Sequence, residues 1–198
     1  MEEKRSTRGG QARRDRLEQA AQDAVQQSGL RNLSFRTLAD DIGIKSSSVH
    51  YHFPEKADLA RALIQRYSRD FAQSVAVAEA TAGRGSLRKK LTGFIGIFDA
   101  VAKDDRMCLC GMMAAEIDEL NESNRTLLKA YFNDTERALT ALFTAHREEL
   151  ASDLPPKTLA ALLLAGLEGA LLLDRATGGR ERLRAQRTLA LSWLASAR

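Results

Sequence analysis

Apolar residues recur along most of the chain at three- and four-residue spacing, the period of a helix that buries one face. The first such stretch covers about Arg13 to Ser28, with Leu17, Ala20, Ala21, Ala24 and Val25 on one side and Gly29 at the stop. Ser34 reads as the N-cap of a short helix that turns Phe35, Leu38, Ala39 and Ile42 inward and ends at Gly43. A third helix is predicted from Ser46 to Phe53, before Pro54. A fourth starts near Glu55 or Lys56 and runs toward Ala80 on a stripe of Leu59, Leu63, Ile64, Tyr67 and Phe71. Beyond Gly83 and Gly85, Ser86 opens a fifth with Leu87, Leu91, Phe94, Ile95 and Phe98 inward. The pattern predicts a sixth over Met107 to Leu120 and a seventh over Glu122 to Leu150. Pro155 and Pro156 suit the first turn of an eighth, and Gly178 and Gly179 separate it from a ninth ending at Trp193 and Leu194. No stretch alternates apolar and polar residues over strand length. The expected fold is all-α, with about nine helices.

Composition supports that reading. Apolar residues make up 44% of the 198, and three prolines and thirteen glycines leave few breakers. The formal charge of +4 does not by itself imply nucleic acid, but its placement is informative. Lys4, Arg5, Arg8, Arg13, Arg14 and Arg16 crowd residues 1–16, opposed by Glu2, Glu3 and Asp15. Such a leader, containing Gly9 and Gly10, reads as a mobile basic arm that meets phosphates, or as a plain solvated terminus. The N-terminus lacks the apolar segment of a signal peptide. The most apolar run, Leu159 to Leu173, is interrupted by Glu168 and is shorter than the roughly twenty residues a bilayer needs. Cys108 and Cys110 cannot form a disulfide framework, and a reducing cytoplasm is the expected compartment, with no membrane partner.

Residues 34–53, SFRTLADDIGIKSSSVHYHF, have the logic of a helix-turn-helix. Two short helices meet at a turn in which Gly43 supplies a left-handed conformation. Phe35, Leu38, Ala39, Ile42, Ile44, Val49 and Phe53 lock the pair against the first helix. The second helix keeps a polar face of Ser46, Ser47, Ser48, His50 and Tyr51, whose short serines let the backbone approach a major groove. His50 and His52 lie two apart on a helix and point to different faces, with no third ligand, so no metal and no cofactor are expected. No nucleophile–base pair, phosphate loop or spaced carboxylate pair is visible, and an enzyme is not expected.

With its neighbours this segment resembles the N-terminal domain of the TetR/AcrR family. The resemblance rests on the Arg- and Ala-rich first helix, Gly29, the run Ser34 to Ala39 with Arg36, Gly43-Ile44, and His50-Tyr51-His52-Phe53 followed by Lys56 and Leu59. It covers residues 13–67; further on, only helix order and length carry it. Lys45 departs from a frequent capping Ser, Ser47 from a frequent Gly or Ala, and His50 from a frequent Tyr. Ser46 or the backbone is expected to cap in place of Lys45.

The resemblance implies a transcriptional regulator with a DNA-binding domain over 1–54, including the basic arm, and a ligand-sensing and dimerisation domain over 55–198. It implies a footprint on double-stranded DNA of Ser34, Arg36, Lys45, Ser46, Ser47, Ser48, His50, Tyr51, His52 and Lys56. Within it, Ser46, Ser47 and Tyr51 are expected at base edges, and Ser34, His52 and Lys56 at phosphates. The last two helices are expected to form a homodimer across a two-fold axis, with Leu183, Ala190, Trp193 and Leu194 contributing, and Gly166 and Gly169 permitting close helix approach. Candidate walls of an effector cavity are Phe94, Ile95, Phe98, Met107, Met112, Met113, Glu116, Tyr131 and Leu167, which suit an apolar or weakly polar small molecule. Each is also an ordinary core residue by type. The run MCLCGMMAAE from Met107 resembles an element of the subgroup containing the N-ethylmaleimide repressor, which makes Cys108 a candidate sensing thiol. Arg106 adjoins it, and a helix N-terminus favours a thiolate; two buried, inert thiols are the alternative. The function so implied is a ligand-responsive repressor released from a palindromic operator by an effector, or a relative controlled by thiol chemistry or a protein partner.

Overall fold

The computed structural model describes residues 2–83, 85–103 and 105–195, with side chains from residue 10 onward. Its helices are α1 (Glu2–Ser28), α2 (Phe35–Ile42), α3 (Ser46–His52), α4 (Lys56–Ala82), α5 (Leu87–Ala102), α6 (Leu109–Ala115), α7 (Glu122–Ala145), α8 (Pro156–Thr177) and α9 (Glu181–Ser192). Single 3-10 turns follow α6 (Ile117–Glu119) and α7 (Arg147–Glu149). Among the described residues the sole β pairing is an isolated bridge between Leu150 and Leu194. The all-α expectation holds.

Three boundaries differ most from the periodicity. α1 begins at Glu2 rather than near Arg13, so the leader's backbone is helical through Gly9 and Gly10. The leader side chains Lys4, Arg5 and Arg8 lie outside the described residues. α6 stops at Ala115 because Glu116 leaves helical geometry (φ −113°, ψ 39°), and α7 stops at Ala145 because His146 does the same (φ −119°, ψ 32°). Glu149 then reaches back to His146 Nδ1 at 2.7 Å and accepts the Leu87 N–H at 2.8 Å, tying the turn to the start of α5.

The chain divides into two compact units. The first comprises Met1–Tyr67 and Leu109–Leu128; there α1 packs on α2 and α6, and α2 packs on α3. Leu17, Ala21, Val25, Leu38, Val49, Phe53, Leu59 and Leu63 are buried in it, together with Leu109, Cys110 and Met113 of α6. Asn124, fully buried at the start of α7, donates to the Ala57 carbonyl at 2.8 Å and anchors α7 on the first turn of α4.

The second unit comprises Ser68–Cys108 and Lys129–Arg198, where α8 packs on α9 and α5, and α5 on α9. α9 has no side-chain cap of its own at Arg180. Buried Asp174 of α8 replaces it, accepting the N–H groups of Arg182 and Leu183, each at 3.0 Å. Burial alone would raise the Asp174 carboxyl; these bonds and the Arg182 guanidinium outweigh it and hold it below its ordinary value.

α8 has two faces. One turns Ala160, Leu163, Leu164, Leu167, Ala170, Leu171 and Asp174 inward. The other leaves Leu162, Leu172 and Leu173 about half exposed, at 48%, 58% and 52%. At 22 residues α8 is long and apolar enough to cross a bilayer by length and composition, correcting the shorter run read from sequence. Its buried face carries Asp174, however, and packs on α9 and α5 as a core helix does. Leu183, Ala190, Trp193 and Leu194, expected at a dimer contact, are instead buried within the chain; Trp193 lies edge-on to Phe143, with centroids 6.2 Å apart. Gly166 accommodates the Gln186 side chain of α9, which occupies the space a Cβ would need.

Candidate nucleic-acid interface

α2 is fixed at both ends by local chemistry. Ser34 Oγ accepts the Thr37 N–H at 3.2 Å, and Gly43 (φ 70°) closes the helix with its N–H on the Ala39 and Asp40 carbonyls. The turn then delivers α3. Lys45 occupies its N-cap without a side-chain bond, as an ammonium must, since it has no acceptor to offer. No side chain caps α3, and the Ser48 N–H reaches the Lys45 carbonyl at 2.9 Å.

Burial sorts α3 by face. Val49 is fully buried and Phe53 nearly so, and they pin the helix to the unit. Lys45, Ser47, His50 and Tyr51 are exposed, Tyr51 at 84%, with Ser46, Ser48 and His52 half-buried at the margins. An aromatic side chain that open, on a helix anchored by its opposite face, is a surface shaped for a partner. Neighbouring elements extend it. Ser34 and Arg36 are exposed at the start of α2, and the His50 ring stands edge-on to Phe35 with centroids 5.0 Å apart. Ser34 Oγ accepts in its cap and keeps its own O–H to donate.

Lys56 is half-buried, and its ammonium donates to the Arg31 carbonyl at 3.1 Å. Arg13 and Arg14, expected in the basic leader and at the start of the first helix but not in the DNA footprint, stand close enough to His52 to act on its charge. Arg14 also covers the Phe53 ring at 5.0 Å and pairs with Glu18 at 3.0 Å. The basic run beside Phe53 was visible in sequence; its approach to α3 depends on how α1 crosses it.

His52 has a lowered pKa, from partial burial first and then from Arg13 and Arg14. The free ring is therefore neutral near pH 7. A phosphate beside it reverses the charge balance and raises its affinity for a proton, so DNA binding should take one up. Affinity is expected to rise as pH falls from about 7.5 to about 6, across the ordinary range of histidine. His52→Gln should flatten that slope. Binding measured by fluorescence anisotropy across this range checks it; equal slopes for both proteins would place His52 away from phosphate.

A second anchorage links α6 to this unit. Glu116 Oε2 accepts the Arg31 N–H at 3.0 Å, and Arg31 Nε donates to Glu119 at 2.8 Å. Glu119 is the main cause of the raised Arg31 pKa. Glu116, expected in an effector wall, is therefore bound to the loop between α1 and α2. The other wall candidates divide between the units. Met112 and Met113 belong to the first. Phe94, Ile95, Phe98, Met107, Tyr131 and Leu167 belong to the second, where all six are buried. Phe94 and Phe98 gather around Phe71, which also meets Tyr131.

Cys108, the candidate sensing thiol, is 1% exposed, and its sulfur lies 3.8 Å from the Tyr131 hydroxyl. Cys110 is fully buried. Electrophile sensing calls for partial access, so the burial favours two packed thiols. Among the described residues no group of three His, Cys, Asp or Glu side chains could hold a metal ion.

Comparison with known proteins places this geometry. Residues 19–63 match the family of bacterial regulatory proteins, tetR family. No curated protein matches the chain. Among solved structures, a TetR family transcriptional regulator from Agrobacterium tumefaciens is similar at 25% identity and a TM-score of 0.88, over 94% of this chain and 100% of that one. A TetR transcriptional regulator from Legionella pneumophila is similar at 26% identity and a TM-score of 0.83, over 91% and 96%. The reduced form of E. coli NemR shares the fold at 19% identity and a TM-score of 0.77, over 92% and 97%. Residues 19–63, which hold the helix-turn-helix, thus match the TetR family, and the chain along nearly its whole length shares the fold of TetR-family transcriptional regulators.

Proposed function

We propose that the chain is a ligand-responsive repressor that binds a near-palindromic operator as a homodimer in the cytoplasm and leaves it when a small effector binds. The division of labour is DNA reading by residues 1–54 and sensing with dimerisation by 55–198. The observation that carries the reading is α3 itself, with Val49 and Phe53 buried and Ser47, His50 and Tyr51 turned to solvent. Ser46, Ser47 and Tyr51 read base edges; Ser34, His52 and Lys56, with Arg36 and Lys45 nearby, hold phosphates. The half-exposed leucines of α8, with Leu189 of α9 at 46% exposure, support a two-fold helical interface.

The covalent path from sensor to reader supports an effector response. α4 runs from the first unit into the second, and Cys108 of the second is followed directly by Leu109 of α6. α6 leads to Glu116 and Glu119, which grip the loop just before α2. An effector that moves the start of α6 or the body of α4 shifts the reading head. Since successive major grooves lie about 34 Å apart, a change of a few ångströms in head spacing weakens binding.

Tyr51→Ala and Ser47→Ala test the reading. Each is expected to weaken operator binding by about 1–3 kcal/mol while leaving the thermal unfolding curve unchanged, since neither side chain is buried. Wild-type affinity in both variants would remove α3 from the reading face.

A further inference from the structure

Glu168 lies midway along α8, and burial pushes its carboxyl up to about 7. Its Oε1 is buried without a hydrogen-bond partner, and its neighbouring donor is the Cys108 thiol. Among the described residues no side-chain cation is paired with it. Glu168 as a whole is half-buried, but a carboxylate with one oxygen removed from water and left without a partner is costly, and a charge kept there calls for a counter-charge. Cys108 in turn meets the Tyr131 hydroxyl at 3.8 Å, and the Tyr131 ring stands edge-on to Phe71 with centroids 5.4 Å apart. Phe94 and Phe98 meet Phe71 at 6.0 and 6.1 Å. All six residues lie in the second unit. Glu168 thus reaches, through Cys108, the Tyr131 ring of a cluster of four aromatic rings, whose faces attract positive charge.

We propose that the effector is an organic cation, an ammonium on an apolar or aromatic body, whose charge is met by Glu168 and whose body displaces rings of the Phe71, Phe94, Phe98 and Tyr131 cluster. This rests on the reading of the second unit as the sensor, and names the class of molecule it senses. A neutral ligand of equal shape leaves the carboxylate as it found it. The cation supplies the missing partner and gains the ring faces as well. Displacing the rings also disturbs Tyr131 and, through it, Cys108, the residue from which α6 departs.

The test uses two molecules of one shape and different charge, phenyltrimethylammonium and tert-butylbenzene. Titration calorimetry on the full-length wild type should show the cation binding at least about tenfold more tightly. In Glu168→Gln, which keeps size and removes charge, that preference should vanish while tert-butylbenzene binds as before. Equal binding of the two by the wild type, binding of neither, or a cation preference that survives Glu168→Gln would overturn the proposal. The wild-type comparison decides even if the variant fails to fold. DNA binding by the same preparations separates the two readings. Specific DNA binding without cation preference overturns only the effector class; cation preference without DNA binding overturns the repressor reading and leaves the site.

Discussion

Leu172→Arg is expected to yield a folded monomer that no longer holds its operator at concentrations where the wild type is saturated. Leu172 is the most exposed leucine of α8, at 58%, and shares its face with Leu162, Leu173 and the small residues Ala165 and Gly169. The substitution therefore leaves the inward face of α8 untouched. At a two-fold axis it places a guanidinium in an apolar contact near its own symmetry copy. Desolvation and like charge together cost several kcal/mol, on the order of 3–5. A monomer then binds one half-site alone and loses the high effective concentration of the second head. Operator affinity should fall on the order of a hundredfold or more. Light scattering gives the mass and anisotropy the affinity; a dimer of wild-type affinity would place the interface elsewhere.

Gly29→Ala is expected to destabilise the protein by about 3 kcal/mol. Gly29 has φ 87°, a conformation that costs an L residue about 1–2 kcal/mol. Its missing Cβ also leaves room for the Glu116 carboxylate, whose Cδ would come within 2.9 Å of an added methyl. That carboxylate accepts the Arg31 N–H, so moving it gives up a charge-assisted hydrogen bond of about 1.5–3 kcal/mol. Glu116→Ala in the Gly29→Ala background should cost less than the two changes summed, because the clash and the bond disappear together. Urea unfolding of the three variants measures this. A loss under about 1 kcal/mol for Gly29→Ala would mean that the loop and Glu116 do not depend on each other.

The contrast between what the sequence disclosed and what it hid is one of range. Ser34 as cap, Gly43 as turn and Val49 and Phe53 as anchors follow from neighbours within a few residues, and all stand where the pattern puts them. The hold of Glu116 on Arg31 joins residues 85 apart, and nothing local marks it; beside methionines, Glu116 looked like a cavity residue. α8 was opaque for another reason. It is apolar nearly all round, so periodicity could not separate the face that meets α9 from the face left open. Of the two-fold contact expected on the last two helices, Leu183, Ala190, Trp193 and Leu194 instead fill the interior. Glu168 was visible only as an interruption in an apolar run; its neighbour Cys108 comes from the segment before α6, and Tyr131, which Cys108 meets, from α7.

The central claim, that α3 reads DNA in a two-fold pair, is tested most directly by selecting binding sites from a pool of random duplexes. The purified full-length protein is expected to enrich a near-palindrome whose half-sites lie one helical turn, about 34–36 Å, or a multiple of it apart. Tyr51→Ala, carried through the same selection, should lose or relax the enriched positions within each half-site while keeping their spacing. No enrichment by the wild type, an enriched site without two-fold symmetry, or the same site with the same strength for Tyr51→Ala would contradict it.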